Sequence, residues 1–205
     1  MSARKHPEAA SLGEQIETAR WPALSLARAH QEKLAATRAR MRRFLARHPN
    51  ARSARCRPGH FTGSAFIVNE EGAFLFLFHR KLHRWLQPGG HMEPDLGELC
   101  PIQTARREAE EETGLEGLEL VIDRPIDLDI HWIPARGTQR RHAHLDIRYL
   151  FRSPLGAIAR PNQESDGFRW LTGRALAEAA REPSLGRALT VAQLLSRDSL
   201  QTARL

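Results

Sequence analysis

Apolar positions recur at two spacings along the chain, and the switch between them marks out the elements. Leu24, Leu26, Leu34, Met41, Phe44 and Leu45 recur at roughly helical spacing through residues 22–47. Upstream, Ser11-Leu12-Gly13-Glu14 has the form of a capping box, so one or two amphipathic helices are expected in this N-terminal part. Pro49-Asn50 and the polar run to Gly59 end that pattern and read as a linker. Period-two segments follow: residues 64–69 and 73–79 read as strands joined by the turn Asn69-Glu70-Glu71-Gly72. Both faces of Phe74-Leu75-Phe76-Leu77-Phe78 are apolar, as in a strand covered on each side by another layer. A layered α/β core is therefore expected. Residues 118–133 and 143–151 read as further long strands connected through residues 134–142, and residues 168–171 as a short one. Helical spacing returns over residues 172–181 and 184–197.

Two of these strands carry polar rows. His142, His144 and Asp146 alternate with Leu145, Ile147, Tyr149 and Phe151, and Asp127, Asp129 and His131 alternate with Leu128, Ile130 and Trp132. A hairpin about Gly137 would set the two rows against each other, which is costly for facing aspartates unless a cation or substrate lies between them. The competing reading is a solvated outer face, since a slip of one residue changes the pairing.

Composition narrows the class. With 205 residues, 41% hydrophobic and 27% charged, the chain is long enough for one domain core with an appended element, here residues 58–205 and 1–57. Its net charge of +7 suggests a nucleic-acid partner until the charge is located. Up to Arg57 there are 13 Lys and Arg against 4 Asp and Glu, a net of +9, whereas the remaining 18 bases and 20 acids net −2. The basicity belongs to the N-terminal arm, where a solvated helical face explains it and no aromatic platform is interleaved with it. Nucleic acid is thus a disfavoured partner. The arm's apolar stripe must be buried, either against the catalytic portion or in a homodimer contact. No apolar run is long enough to cross a bilayer, and the first residues lead into no signal-peptide core, so a cytoplasmic location is expected. Cys56 and Cys100 lack paired short spacing and read as free thiols.

Residues 101–113 have helix signals at both ends, Pro101 in the first turn and Gly114 just past the last. At about 100° per residue, Glu108, Glu111 and Glu112 fall within an arc of roughly 100°, beside an apolar stripe of Ile102, Ala105 and Ala109. A Glu-rich helix is usually a solvated face. Here three glutamates crowd the turn where the helix dipole disfavours anions, and Glu108 and Glu112 repel at i,i+4. Divalent cations remove that conflict, because clustered hard oxygen ligands are what Mg²⁺ uses. Upstream, Leu86-Gln87-Pro88-Gly89-Gly90-His91-Met92-Glu93 places two glycines where backbone can approach a ligand closely. The basic cluster from His79 through Arg80 to Trp85 could contact phosphates or stack a base, against the commoner reading of a solvated turn with a packed tryptophan.

Together, Gly90, Glu98 and Arg107-Glu108-x-x-Glu111-Glu112-x-Gly114-Leu115 resemble the Nudix box. The second half matches at each fixed position, with Ala109 where a larger apolar residue is usual. The first half is longer: seven residues separate Gly90 from Glu98 and eight separate Glu98 from Arg107, where the family has five and seven. Glu93, Asp95 and Glu98 therefore compete for the first glutamate's role, with Glu98 first on spacing. The resemblance implies an α/β/α sandwich with a mixed β-sheet, plus the N-terminal helical extension. It implies a hydrolase that cleaves a phosphoanhydride bond in a small-molecule diphosphate, using Mg²⁺ or Mn²⁺. By motif position, Glu111 and Glu112 would be principal metal ligands and Glu108 a ligand or the group that orients and deprotonates water. Arg107 would hold a glutamate in place. Glu98, and Glu164 on a late loop, would be accessory metal ligands. Gly89, Gly90, Arg80, His91, Glu93, His144 and Asp146 are the candidate substrate contacts. The alternatives are an RNA-binding or cap-processing member and a non-catalytic nucleotide sensor. A related isomerase fits poorly, because the expected Cys and His arrangement is not apparent.

Overall fold

The structure, a computed structural model, describes residues 7–19, 28–80, 82–138, 140–160, 162 and 165–202, with side chains described to residue 197. Leu24, Leu26, Lys81, Gln139 and Glu164 lie outside the described residues. A single 3₁₀ turn (Pro7–Ala9) leads into α1 (Leu12–Thr18), followed by α2 (Arg28–Arg47). Then come β1 (Gly59–Val68), β2 (Phe74–His79), β3 (Arg84–Leu86), β4 (Gly89–His91) and α3 (Pro101–Thr113). The chain ends with β5 (Glu119–Leu120), β6 (Asp127–Ile133), β7 (His142–Arg152), β8 (Ser165–Leu171), α4 (Gly173–Ala179) and α5 (Pro183–Thr202).

One mixed sheet organises these elements. Its main path is β3-β2-β1-β7-β5, with β4 beside β1, β6 beside β7 and β8 beside β2. The parallel β1–β7 pairing runs unbroken from Gly59↔Ala143 to Val68↔Arg152, and β1 is buried along its whole length. A strand covered on both faces needs apolar side chains on both, which Phe61, Ala65, Phe66, Ile67 and Val68 supply. β1 extends further upstream than the expected residues 64–69, and β3 and β4 were not anticipated. The single strand expected over residues 118–133 is instead split into β5 and β6. Pro125 lies in the interruption, where a residue without an N–H cannot serve the ladder. The chain rejoins β7 when the Ile126 amide donates to the Arg148 carbonyl at 2.8 Å.

The N-terminal arm packs onto this core. Leu12, Ile16, Ala19, Leu34 and Met41 join the same apolar cluster as Phe61, Leu145 and Tyr149. The expected capping box is present at Ser11 and Glu14, and the hydroxyl of fully buried Tyr149 donates to Gln15. Arg106 of α3 pairs with Glu8 at 2.9 Å. Among the described residues the arm's apolar stripe thus packs on the chain itself, Leu34 and Met41 buried and Phe44 and Leu45 partly so.

Helix α3 lies against β1 because Gly63 lets it. A Cβ at Gly63 would run into the Pro101 carbonyl and come within 2.8 Å of the Ala105 amide. Gly63→Ala should lower stability by about 1–3 kcal/mol, the usual cost of forcing an extra carbon into a packed site. A urea midpoint equal to that of the unsubstituted protein would show that α3 is not seated by this contact.

Candidate active site

The α3 helix spans Pro101–Thr113, as its terminal signals predict, and Gly114 closes it in the left-handed conformation at φ 66°. Its last two turns carry the glutamates towards β4. Glu108 presses into the space left by Gly90, where a Cβ would stand 2.8 Å from Oε2 and closer still to the rest of the carboxylate. The Gly89 amide donates to Glu112 Oε2 at 3.2 Å. Glu111 is the outermost of the three, its side chain 56% exposed against 16% for Glu108. Three carboxylates and two adjacent glycines therefore share one patch.

Arg107 ties the patch together. Its Nε donates to Glu98 at 2.7 Å, Nη1 to Glu111 at 2.9 Å and Nη2 to the His91 carbonyl at 3.0 Å. Nη2 also lies 3.0 Å from Glu108 Oε1. A planar fork of five donors can serve partners in several directions at once, which a lysine cannot. Glu98 is saturated by protein groups. Besides Arg107 it accepts from the Glu93 amide and the Thr104 hydroxyl, both at 2.7 Å, and it is buried. The extra residues of the lengthened loop form a 3₁₀ turn (Pro94–Leu96), leaving Glu93 and Asp95 exposed.

These surroundings push the acids apart. Burial raises the Glu108 carboxyl above the usual carboxylate range despite the neighbouring Arg107. Burial also opposes ionisation of Glu98, but the Arg107 hydrogen bond, the Glu93 amide and Thr104 outweigh it and hold its pKa below the ordinary 4.5.

The remaining candidates are dispersed or built into other contacts. Arg80 pairs at 2.6 Å with Asp166, at the surface. Trp85 packs edge-on to Phe78, 5.3 Å between centroids. The polar rows of β6 and β7 do face each other, with Asp129↔Asp146 and His131↔His144 in register. Cations separate the acids, but they are side chains of the protein. Arg148 donates to Asp146 at 2.8 Å and to Asp127 at 3.1 Å, while Arg187 of α5 donates to both oxygens of Asp127 at 3.0 and 2.9 Å. Asp146 also accepts from Thr62 and Ser64 at 2.9 and 2.8 Å and is buried, so its contacts are internal. His91 and His144 come together, Nε2 to Nε2 at 3.2 Å, away from the glutamates.

Sequence reasoning passed over His60, Thr62, Ser64, Arg148 and Arg187. The alternation His60-x-Thr62-x-Ser64 mirrors His142-x-His144-x-Asp146-x-Arg148 and could have shown the polar face continuing onto β1.

The NUDIX domain family model matches residues 60–190. This chain belongs to that family. It is 35% identical over 91 residues to a probable DHNTP pyrophosphohydrolase of Lactococcus lactis, a match covering 43% of this chain and 51% of that protein. It is 29% identical over 91 residues to the asymmetrical bis(5'-nucleosyl)-tetraphosphatase of Rattus norvegicus, covering 44% of this chain and 56% of that protein. The chain thus spans about half the length of the curated relatives it matches. Among solved structures, a NUDIX family hydrolase from Clostridium perfringens is 27% identical, with a TM-score of 0.45 over 70% of this chain and 97% of that one. No described helix is long and apolar enough to cross a membrane.

Because the folded-state pKa of Glu98 is depressed, its ionised network contributes stability above about pH 4.5 and loses it as pH falls through the lowered value. Glu98→Gln should flatten the fall in urea midpoint between about pH 5 and pH 3. Identical pH profiles for the two proteins would refute the assignment.

Proposed function

We propose that this chain hydrolyses a phosphoanhydride bond in a nucleoside diphosphate-linked or related small molecule, with Mg²⁺ or Mn²⁺ held by Glu108, Glu111 and Glu112. The observation that carries the reading is the patch itself, three carboxylates on the C-terminal turns of one helix beside Gly89 and Gly90, two of them gathered by one guanidinium and the third held by the Gly89 amide. The donor set fits a hard cation, being oxygen-rich, clustered and open to solvent at Glu111. A divalent ion bound there would neutralise the diphosphate and lower the pKa of a coordinated water.

The chain's own residues have separable parts in this scheme. Glu111 and Glu112 are the principal ligands. Glu108, sheltered against Gly90 and disposed to hold a proton, ligates or takes the proton from the attacking water. Arg107 is a positioning residue, and Glu98, whose oxygens are occupied by protein donors, orients Arg107 rather than ligating. The half-buried Gly89-Gly90 strand, with no side chain in the way, lets backbone lie close against the glutamates that would hold the metal. Asp146 and Arg80 are taken up by protein partners, and His91 and His144 turn towards each other, so none of the four has a substrate role in this scheme.

The Lactococcus and rat relatives are named for nucleotide-like polyphosphates, and a substrate of that chemistry is the expectation here. A hydrolysis screen should find turnover with Mg²⁺ or Mn²⁺ on at least one of nucleoside triphosphates, dinucleoside polyphosphates, nucleotide sugars and coenzyme diphosphates. Glu111→Gln/Glu112→Gln should keep the circular dichroism spectrum and lose activity by on the order of 10² or more. Full metal-dependent activity in that folded variant would end the proposal.

A further inference from the structure

A second cluster of metal-ligating side chains lies on the face of β1 turned away from α3, and the proposed reaction does not use it. His60 of β1 and His144 of β7 are partners in the parallel pairing. His142 stands two residues earlier on the same face of β7, and His91 enters from β4, beside Thr62 of β1. The His60 ring centroid lies 4.8 Å from those of His91 and His144 and 5.0 Å from that of His142. Ligand nitrogens of His60, His142 and His144 all lie within 4.8 Å of one another.

Hydrogen bonding does not account for this arrangement. His60 is 1% exposed, yet neither of its ring nitrogens makes a hydrogen bond of ordinary geometry, and the nearby Cys56 backbone offsets little of its burial. A buried polar group left unmatched costs free energy, so such a group calls for an explanation. His142 Nδ1 lies 2.9 Å from the Arg140 carbonyl. A carbonyl only accepts, so Nδ1 carries the proton and Nε2 offers a lone pair towards His144 Nε2, 3.3 Å away. His144 Nε2 meets His91 Nε2 on another side at 3.2 Å. Its one proton cannot make a separate bond to each neighbour, and none of it reaches His60.

We propose that His60, His142 and His144, with His91 closing the fourth side, bind a borderline transition-metal ion such as Zn²⁺, at a site separate from the carboxylate patch. A tetrahedral ion with metal–nitrogen distances of about 2.0–2.1 Å sets adjacent nitrogens about 3.3 Å apart, and the two Nε2 separations are 3.3 and 3.2 Å. The Arg140 carbonyl holds His142 by its other nitrogen, the usual way a ligating imidazole is oriented. Burial, with His91 and His142 adding to it and the Cys56 backbone opposing weakly, brings His60 down to about 4, so its ring is neutral at physiological pH. Imidazole donors select such an ion over Mg²⁺. The ion would brace β1, β4 and β7, and β4 carries both Gly89-Gly90 and the carbonyl that accepts from Arg107.

The test uses the tag-free full chain, stripped of metal and titrated with Zn²⁺ in the presence of excess Mg²⁺. Calorimetry should find one equivalent bound, retained in Glu111→Gln/Glu112→Gln and weakened about 10–100-fold or more in His60→Gln/His142→Gln. X-ray absorption at the zinc edge of the unsubstituted protein should show an imidazole shell at about 2.0–2.1 Å, and this decides the matter if the histidine variant does not fold. Absence of a Zn²⁺ equivalent under Mg²⁺, an oxygen-only shell, or binding lost in the glutamate variant but kept in the histidine one would overturn the proposal.

Discussion

The guanidinium of Arg107 is the interaction on which the carboxylate patch depends. Glu98, Glu108, Glu111 and Glu112 lie close together, from buried Glu98 to exposed Glu111, and two unit charges about 4 Å apart repel by about 4 kcal/mol at an effective dielectric of about 20. One cation reaching Glu98, Glu108 and Glu111 offsets much of that repulsion while donating to the His91 carbonyl. It thereby links the lengthened loop, β4 and two turns of α3. The attraction is strong because Arg107 is itself largely buried, its side chain 20% exposed. A divalent cation placed among the glutamates would meet ligands already held in register, at little further cost in side-chain ordering.

That arrangement in turn needs three places without a side chain. Gly63 brings α3 onto β1, Gly90 admits the Glu108 carboxylate and Gly89 lies against Ser64 with its amide free to donate to Glu112. Each contact is a close approach of backbone to a neighbouring group, which is where glycine is required and not merely tolerated. The consequence is a division of labour. The N-terminal arm and α3 bury one face of the sheet with apolar side chains, while the opposite face carries the polar rows and receives α5 through Arg187.

How much of this was legible in the sequence follows the range of the interactions. Helix α3 could be bounded closely because Pro101 and Gly114 act locally, and its glutamate face follows from helical geometry alone. The strong strand β2 was equally plain from Phe74 to Phe78. By contrast, Glu98 looked like a ligand by spacing, and only the fold brings Thr104, the Glu93 amide and Arg107 onto its two oxygens. The alternation of Asp127, Asp129 and Asp146 shows facing aspartates to be an electrostatic problem, with a cation, a substrate or a solvated face as its possible answers. The cations are Arg148, two positions along the same strand from Asp146, and Arg187 from a distant helix, and the second of these is invisible to any local pattern. β1 was begun too late because His60, Thr62 and Ser64 look like loop residues until β7 is laid beside them.

The polar face shows why satisfied and unsatisfied groups must be told apart before a function is assigned. Its acidic half is closed: burial opposes ionisation of Asp129, yet the His131 hydrogen bond and Arg148 hold it well below the carboxylate range, and Asp146 accepts from three donors, the Thr62 and Ser64 hydroxyls and Arg148, whose fork also reaches Asp127. Such a network specifies the register of β1, β6 and β7 and leaves nothing for a ligand to bond. The imidazole half differs in kind. Its rings are as deeply placed, but His60 makes no well-formed hydrogen bond and the Nε2 atoms of His91, His142 and His144 converge. Two halves of one face, sharing β1 and β7, thus differ in whether their hydrogen-bonding capacity is met, and it is the unmet half that points to a ligand.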